Sequence, residues 1–212
     1  MVRRTKAEAI ATREALLDAA ETTFFDNGVA RTSLEQIARH AGMTRGAVYW
    51  HFKNKAALFH ALIERVRMPF EELIEEVDKP ARLDSPLETL RLVCHRGLAR
   101  LEQPHICRVH SILLHRCEFF GDINPLEMQN RMAQECHDEL YAQFHKAYEQ
   151  HMLHPSLSPE TATHLLQSTL GGLFHDWLRQ PERFSLSEKG GALIDTLFQL
   201  MSPSSSCQPS SR

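Results

Sequence analysis

The sequence predicts an all-α protein: a small N-terminal three-helix domain with a helix-turn-helix, and a larger helical C-terminal domain, about nine helices in all. Three observations lead there. Apolar residues recur at helical spacing along most of the chain, and no segment sustains the strict alternation of a half-buried strand. Start and stop signals punctuate it, with Ser33, Thr44, Asn54, Ser85 and Ser158 as caps and Gly28, Gly42 and Gly121 as stops. The 212 residues are 42% hydrophobic and 24% charged, ordinary for a globular chain long enough to bury a real core.

Arg3, Arg4 and Lys6 make residues 1–6 a basic arm suited to a phosphate backbone. Residues 7–27 then form an amphipathic helix with Ile10, Leu17, Ala20 and Phe24 on one face and Leu16 beside them. The stretch 34–52, LEQIARHAGMTRGAVYWHF, reads as two short helices joined by a tight turn. Ser33 and Gln36 form a capping box. Leu34, Ile37 and Ala41 supply an apolar stripe, Gly42 ends the first helix, and Thr44 caps the second. Ala38, Gly42 and Val48 occupy the positions where such a motif packs tightly. Packing needs only Val48 from the second helix. Arg45, Gly46, Tyr49, Trp50 and His51 are left over, offering donors for base edges and phosphates and flat apolar surface for thymine methyls. An ordinary helical hairpin would instead bury those aromatics.

Net charge supports a polyanion partner once it is divided. Residues 1–55 carry nine Lys and Arg against six acids, whereas the whole chain has 24 against 27. A basic end on an acidic body orients a protein on DNA. No apolar run approaches the roughly 20 residues that span a membrane, and residues 1–20 lack a signal-peptide core. Five scattered cysteines without C-x-x-C spacing suit a reduced, cytoplasmic setting.

Asn54 caps a long helix over 55–78 with Leu58, Leu62, Val66, Phe70 and Leu73 inward. Pro69 lies inside it, and either bends it or marks where one helix ends and another begins. A loop at 79–85 ends in S85-P-L-E88, a capping box with Pro at the first helical position. Further helices run to about Gln103, from Pro104 through Phe120, from Pro125 to about Met152, from Ser158 to about Arg179, and from a Ser187 cap to about Met201. Residues 202–212 are too polar to fold and are read as a disordered tail.

T44-R-G-A-V-Y-W-H-F-K-N-K55, preceded by T32-S-L-E-Q-I-A and followed by Leu58-Phe59, resembles the DNA-binding region of TetR-family repressors. V2-R-R-T-K-A-E-A and H115-R-C-E-F119 resemble the AcrR-like branch, which represses multidrug efflux operons. The resemblance is close over the first 60 residues and looser beyond. It implies a homodimeric repressor, released from a palindromic operator by a small hydrophobic inducer such as an antibiotic. Residues 1–53 would be the DNA-binding domain, 54–201 the ligand-binding and dimerisation domain, and 202–212 the tail. Arg45, Gly46, Tyr49, Trp50 and His51 would meet the major groove. Thr32, Ser33, Thr44, Lys53, Lys55 and the Arg3-Arg4-Lys6 arm would hold the backbone.

The long C-terminal helices can enclose a ligand space, mostly apolar with a few polar anchors. Its candidate walls are Leu62, Val66, Phe70, Val93, Gly97, His110 and Leu114, with Leu140, Phe144, Gln167 and Leu170 opposite. Leu166, Leu173, Phe174, Trp177, Leu193, Leu197 and Leu200 make the last two helices more apolar than surface helices need, which predicts a two-fold four-helix interface. Of thirteen histidines and five cysteines, Cys107 and His110 alone form a ligand-type pair on one helix face. They keep open a metal- or redox-sensing regulator. No metal or other cofactor is expected, however. With no Gly-rich phosphate loop and no G-x-S-x-G, a helical enzyme is the remoter alternative.

Overall fold

The computed structural model describes residues 6–81 and 85–203. Arg3 and Arg4 of the expected arm, residues 82–84 of the expected loop and residues 204–212 of the expected tail lie outside the described residues. Ten α-helices and no strand occur among the described residues: α1 (Lys6–Asn27), α2 (Leu34–His40), α3 (Arg45–His51), α4 (Lys55–Arg65), α5 (Phe70–Ala81), α6 (Pro86–Leu101), α7 (Pro104–Ser111), α8 (Pro125–Glu149), α9 (Pro159–Arg179) and α10 (Gly191–Met201).

One helix beyond the expected nine arises at Pro69. The run over 55–78 is broken, α4 ending at Arg65 and α5 beginning at Phe70. The Pro69 carbonyl accepts the Leu73 N–H at 3.2 Å, so proline opens the new helix, where its missing N–H costs nothing. The helix expected from Pro104 through Phe120 is also shorter. After α7 a π-helical turn, Ile112–Arg116, gives way to extended Cys117, and Phe120 and Ile123 pair across the turn holding Gly121. A second π-helical turn, Leu186–Gly190, precedes α10. Its cap is Ser185, not Ser187, with the Glu188 N–H donating to Ser185 Oγ at 3.2 Å. The Ser187 hydroxyl donates to Glu102 instead.

By density of contacts the chain forms two compact units, Met1–Arg67 with Pro104–Asn130, and Met68–Gln103 with Arg131–Arg212. The functional boundary expected at 53–54 falls within the first unit, because α4 buries Leu58, Phe59 and Leu62 completely. The hub of that unit is α1. Leu16, Leu17, Ala20 and Phe24 are fully buried, and the Phe24 and Phe59 rings meet edge to face with centroids 5.8 Å apart. Ile10, expected on the same face, is instead 54% exposed. Around Glu21, a nearly buried carboxylate on α1, Arg65 closes to 2.9 Å and Arg108 to 3.4 Å. Burial raises the Glu21 pKa, with the two guanidinium groups opposing.

In the second unit Leu90, Val93 and Leu98 of α6 pack in a core with Phe144, Leu166, Ile194 and Phe198, and the Phe144 and Phe198 rings stack at 6.2 Å. Arg91 adds a polar tie, reaching Asp195 of α10 and Glu88 of its own helix, each at 2.6 Å.

Candidate nucleic-acid interface

Local sequence signals build the helix-turn-helix almost completely. Ser33 and Gln36 satisfy each other's backbones, Gln36 N–H donating to Ser33 Oγ at 3.2 Å and Ser33 N–H to Gln36 Oε1 at 2.7 Å. Gly42 turns the chain at φ +66°, a conformation that L side chains rarely adopt. Nothing lies within 4 Å of where its Cβ would be, so this glycine serves the turn and not the tight packing expected of it. Thr44 caps α3 by accepting the Ala47 N–H at 3.3 Å. Ala38 and Val48 close the small core between the helices, at 2% and 0% exposure.

Val48 is the one buried residue of α3. The opposite face is open: Tyr49 is 45% and Trp50 70% exposed. Arg45 stacks its guanidinium 5.2 Å from the Tyr49 ring and pairs with Glu35 at 3.0 Å. Both partners of that ion pair are largely solvated, so it is worth only about 0–1 kcal/mol and yields readily to a phosphate or base edge. His51 packs edge to face against Trp50 with centroids 4.5 Å apart. At Gly46 a Cβ would meet nothing nearer than Thr44 Oγ1 at 3.9 Å. The fold therefore does not require this glycine, and its bare backbone leaves room for a close-approaching surface.

The structure separates the expected backbone contacts. Lys53 and Lys6 are exposed, and Ser33 lies at the rim of α2. Arg3 and Arg4 lie outside the described residues. Thr32 is 2% exposed, its hydroxyl directed at the carbonyls of Gly28 (2.8 Å) and Thr23 (3.2 Å), so it ties the turn to α1 and does not face outward. Lys55 is turned inward too, hydrogen-bonded to three carbonyls of the turn before α2. Arg31 was missing from the expected set. With Ser33, Tyr49 and Lys53 it borders an open depression of about 450 Å³ on the first unit. Its position directly before the Thr32-Ser33 cap was the available signal.

The expected ligand walls fall on both units, Leu62, Val66, His110 and Leu114 on the first and the other seven on the second. Leu62, Val66, Val93, Leu140 and Phe144 are buried in their own cores, while Phe70, Gly97, Leu114, Gln167 and Leu170 are half-buried. Gln167 donates to the Ala133 carbonyl at 2.7 Å and lies 3.3 Å from the His137 ring. His110 is 8% exposed, and its Nδ1 donates to the Ile106 carbonyl at 2.9 Å, leaving Nε2 as the basic nitrogen. Burial lowers its pKa against that backbone bond, and burial raises the Cys107 thiol. Among the described residues no group of three or more His, Cys, Asp or Glu converges on a possible ion. The Cys107–His110 pair thus has no third ligand there.

Of the expected dimer residues, Leu166 (0%) and Trp177 (4%) belong to the chain's own core. Leu193 (44%) and Leu200 (71%) remain exposed, with Leu165 (43%) joining them, and Leu173, Phe174 and Leu197 are half-buried.

Residues 16–62 match the family described as bacterial regulatory proteins, tetR family, and residues 85–203 match the C-terminal region of MAATS-type transcriptional repressors. Over 204 residues the chain is 35% identical to the HTH-type transcriptional repressor BepR of Brucella suis biovar 1, covering 93% of this chain and 95% of that one. It is equally identical over 198 residues to the HTH-type transcriptional regulator TtgR of Pseudomonas putida, covering 92% and 94%. Among solved structures, NalD, the secondary repressor of the MexAB-OprM multidrug efflux pump in Pseudomonas aeruginosa, superposes with a TM-score of 0.79 at 38% identity, covering 93% of this chain and 98% of that one. SmeT of Stenotrophomonas maltophilia, solved in complex with triclosan, also gives 0.79, at 33% identity over 95% of this chain and 96% of that one. The two matches lie on either side of the break at Pro69, the first on the helix-turn-helix unit that α1 and α4 support: the chain belongs to the TetR family of bacterial regulatory proteins.

Proposed function

We propose that the chain is a cytoplasmic transcriptional repressor of a multidrug efflux operon, homodimeric on a palindromic operator and released by a small hydrophobic compound. It acts by binding and not by catalysis. The observation that carries the reading is the free face of α3, where a single buried valine anchors a helix that otherwise displays Arg45, Tyr49 and Trp50 to solvent. Arg45 is the direct base reader, since its planar fork matches the acceptor pair of guanine. Tyr49, Trp50, His51 and the bare backbone at Gly46 complete the groove contact. Ser33, Thr44, Lys53, Arg31 and the basic arm hold phosphates, fixing register without reading sequence.

Relatives named as efflux regulators, one of them solved with triclosan, support a hydrophobic inducer. Within the second unit its walls are the half-buried apolar residues Phe70 and Leu170, with Gln167 as the polar anchor. Induction is a population shift, because a compound lowers DNA affinity only by binding more tightly to the state that reads DNA poorly.

The test is a salt titration of binding to DNA from upstream of the protein's own gene, with wild type, Arg45→Ala and Tyr49→Ala, repeated with triclosan. Sequence-specific binding that both substitutions relax, and that triclosan or another hydrophobic antibiotic weakens, is the expected result. Equal weak binding by all three proteins would mean that α3 is merely packing.

A further inference from the structure

We propose that Lys55 is a positioning residue of the DNA-reading surface: with Phe120 it latches the turn that carries α2, and it makes no phosphate contact itself. The proposal rests on the repressor reading but concerns a residue that reading does not use.

An ammonium has three donors and no more. All three of Lys55 are taken, by the carbonyls of Val29 (2.7 Å), Thr32 (2.9 Å) and Ala30 (3.0 Å). The Phe120 ring closes over the same nitrogen, its centroid 3.6 Å away, a cation held over the negative face of an aromatic. Burial lowers the Lys55 pKa, with Cys117 opposing, as expected of a cation withdrawn from water. None of its hydrogen-bonding capacity faces outward.

What the ammonium holds is the turn between α1 and α2. Within the turn the Thr32 N–H reaches the Val29 carbonyl only at 3.4 Å, so lysine does what a regular ladder would otherwise do. The turn ends on Ser33, the cap of α2, and α2 packs against α3, with Ala38 and Val48 both buried. Moving these carbonyls therefore moves the reading helix. A remote segment grips the turn from a second point, since the Arg116 carbonyl accepts the Val29 N–H at 3.1 Å. Arg116 also lies over Phe25 of α1, 5.5 Å from its ring. Residues 116–120, more than 80 positions beyond the turn in the chain, are thereby part of what sets the helix-turn-helix. This gives the H115-R-C-E-F119 stretch and the residue after it a role in the first unit, at the rim of the depression beside Lys53.

The experiment compares Lys53→Met, Lys55→Met, Phe120→Leu and the Lys55→Met/Phe120→Leu double variant. It reads salt-titrated binding to a duplex selected by the wild-type protein from a random pool, and backbone amide exchange over residues 28–40. Lys53→Met flattens the salt slope by about one phosphate. Lys55→Met keeps the wild-type slope, loses about tenfold in affinity as the base contacts fall out of alignment, and exchanges faster in the turn. Phe120→Leu shows the same two changes more weakly, and the double variant binds no worse than Lys55→Met alone. A Lys55→Met slope flattened like that of Lys53→Met, with exchange in the turn unchanged, would overturn the proposal. So would a Phe120→Leu protein with wild-type affinity and exchange, which also decides the matter if Lys55→Met does not fold. Should the wild-type chain select no duplex, the repressor reading fails, and amide exchange alone judges the latch.

Discussion

At the scale of single residues, the contrast between Arg45 and Gly46 separates reading from folding. Arg45 is solvated, and its partner Glu35 is a surface acid on the preceding helix, so folding gains little from it. Arg45→Ala should leave thermal stability nearly unchanged and cost about 1–3 kcal/mol of operator affinity, relaxing specificity at one base position. Gly46→Ala should do the opposite to the fold. With no atom nearer than 3.9 Å to the new methyl, it raises helix propensity and stabilises the protein by up to about 1 kcal/mol. In the proposed interface the same methyl stands on the side that DNA approaches, so affinity should fall although stability rises. Calorimetric melting beside fluorescence anisotropy on a labelled duplex reads both quantities. A Gly46→Ala protein that binds as tightly as wild type would remove this glycine from the interface.

Elements divide by how local their causes are. The capping box at Ser33 is local, and Ser33→Ala should cost about 1 kcal/mol in denaturant unfolding. The same kind of signal made Thr44, Asn54 and Ser158 legible in the sequence, each accepting the N–H three residues on. The π-helical turns at 112–116 and 186–190 were not legible, because the spacing of apolar residues reports 3.6-residue periodicity and not an i to i+5 bond. Nor was the destination of Lys55, whose carbonyl partners lie 23 to 26 positions away and leave no side-chain signature. Glu102 is a third such case. It accepts from the hydroxyls of Ser185 and Ser187 and from the Leu186 N–H, 83 to 85 positions along. Burial works to raise its pKa, yet the hydrogen bonds from Ser187, Ser185 and Leu186 outweigh it and hold the carboxyl below its ordinary 4.5. A depressed carboxyl stabilises the fold above its unfolded value, and that contribution is lost as pH falls through the folded one. Glu102→Gln should therefore be less stable than wild type at pH 7, with the gap narrowing below pH 4.5. Urea midpoints at pH 7 and pH 3.5 check this, and a gap independent of pH would mean that the carboxylate charge plays no part.

For the whole molecule, the exposed leucines of α9 and α10 decide what kind of binder it is. Leu165, Leu193 and Leu200 are 43%, 44% and 71% exposed on the contacting helices α9 and α10, and the proposed dimer would cover them. In a two-fold dimer each residue of the patch meets the same patch on the second copy, so one charged substitution is felt twice. Leu193→Glu with Leu200→Glu should therefore yield a folded monomer, while Leu166→Glu, placed in the chain's own core, should unfold it. Two reading heads joined in one dimer bind successive major grooves about 34–36 Å apart. The second contact gains from effective concentration, typically a factor of about 10²–10⁴. The leucine pair lies outside the helix-turn-helix unit, so the monomer should lose a factor of that order on a palindrome yet bind a single half-site as weakly as one head of the wild-type protein does. Analytical ultracentrifugation with binding to full and half operators measures both. If the double variant stays dimeric, the interface lies elsewhere. If it is monomeric and still binds the palindrome with wild-type affinity, each chain reads DNA alone and the two-fold operator is unnecessary.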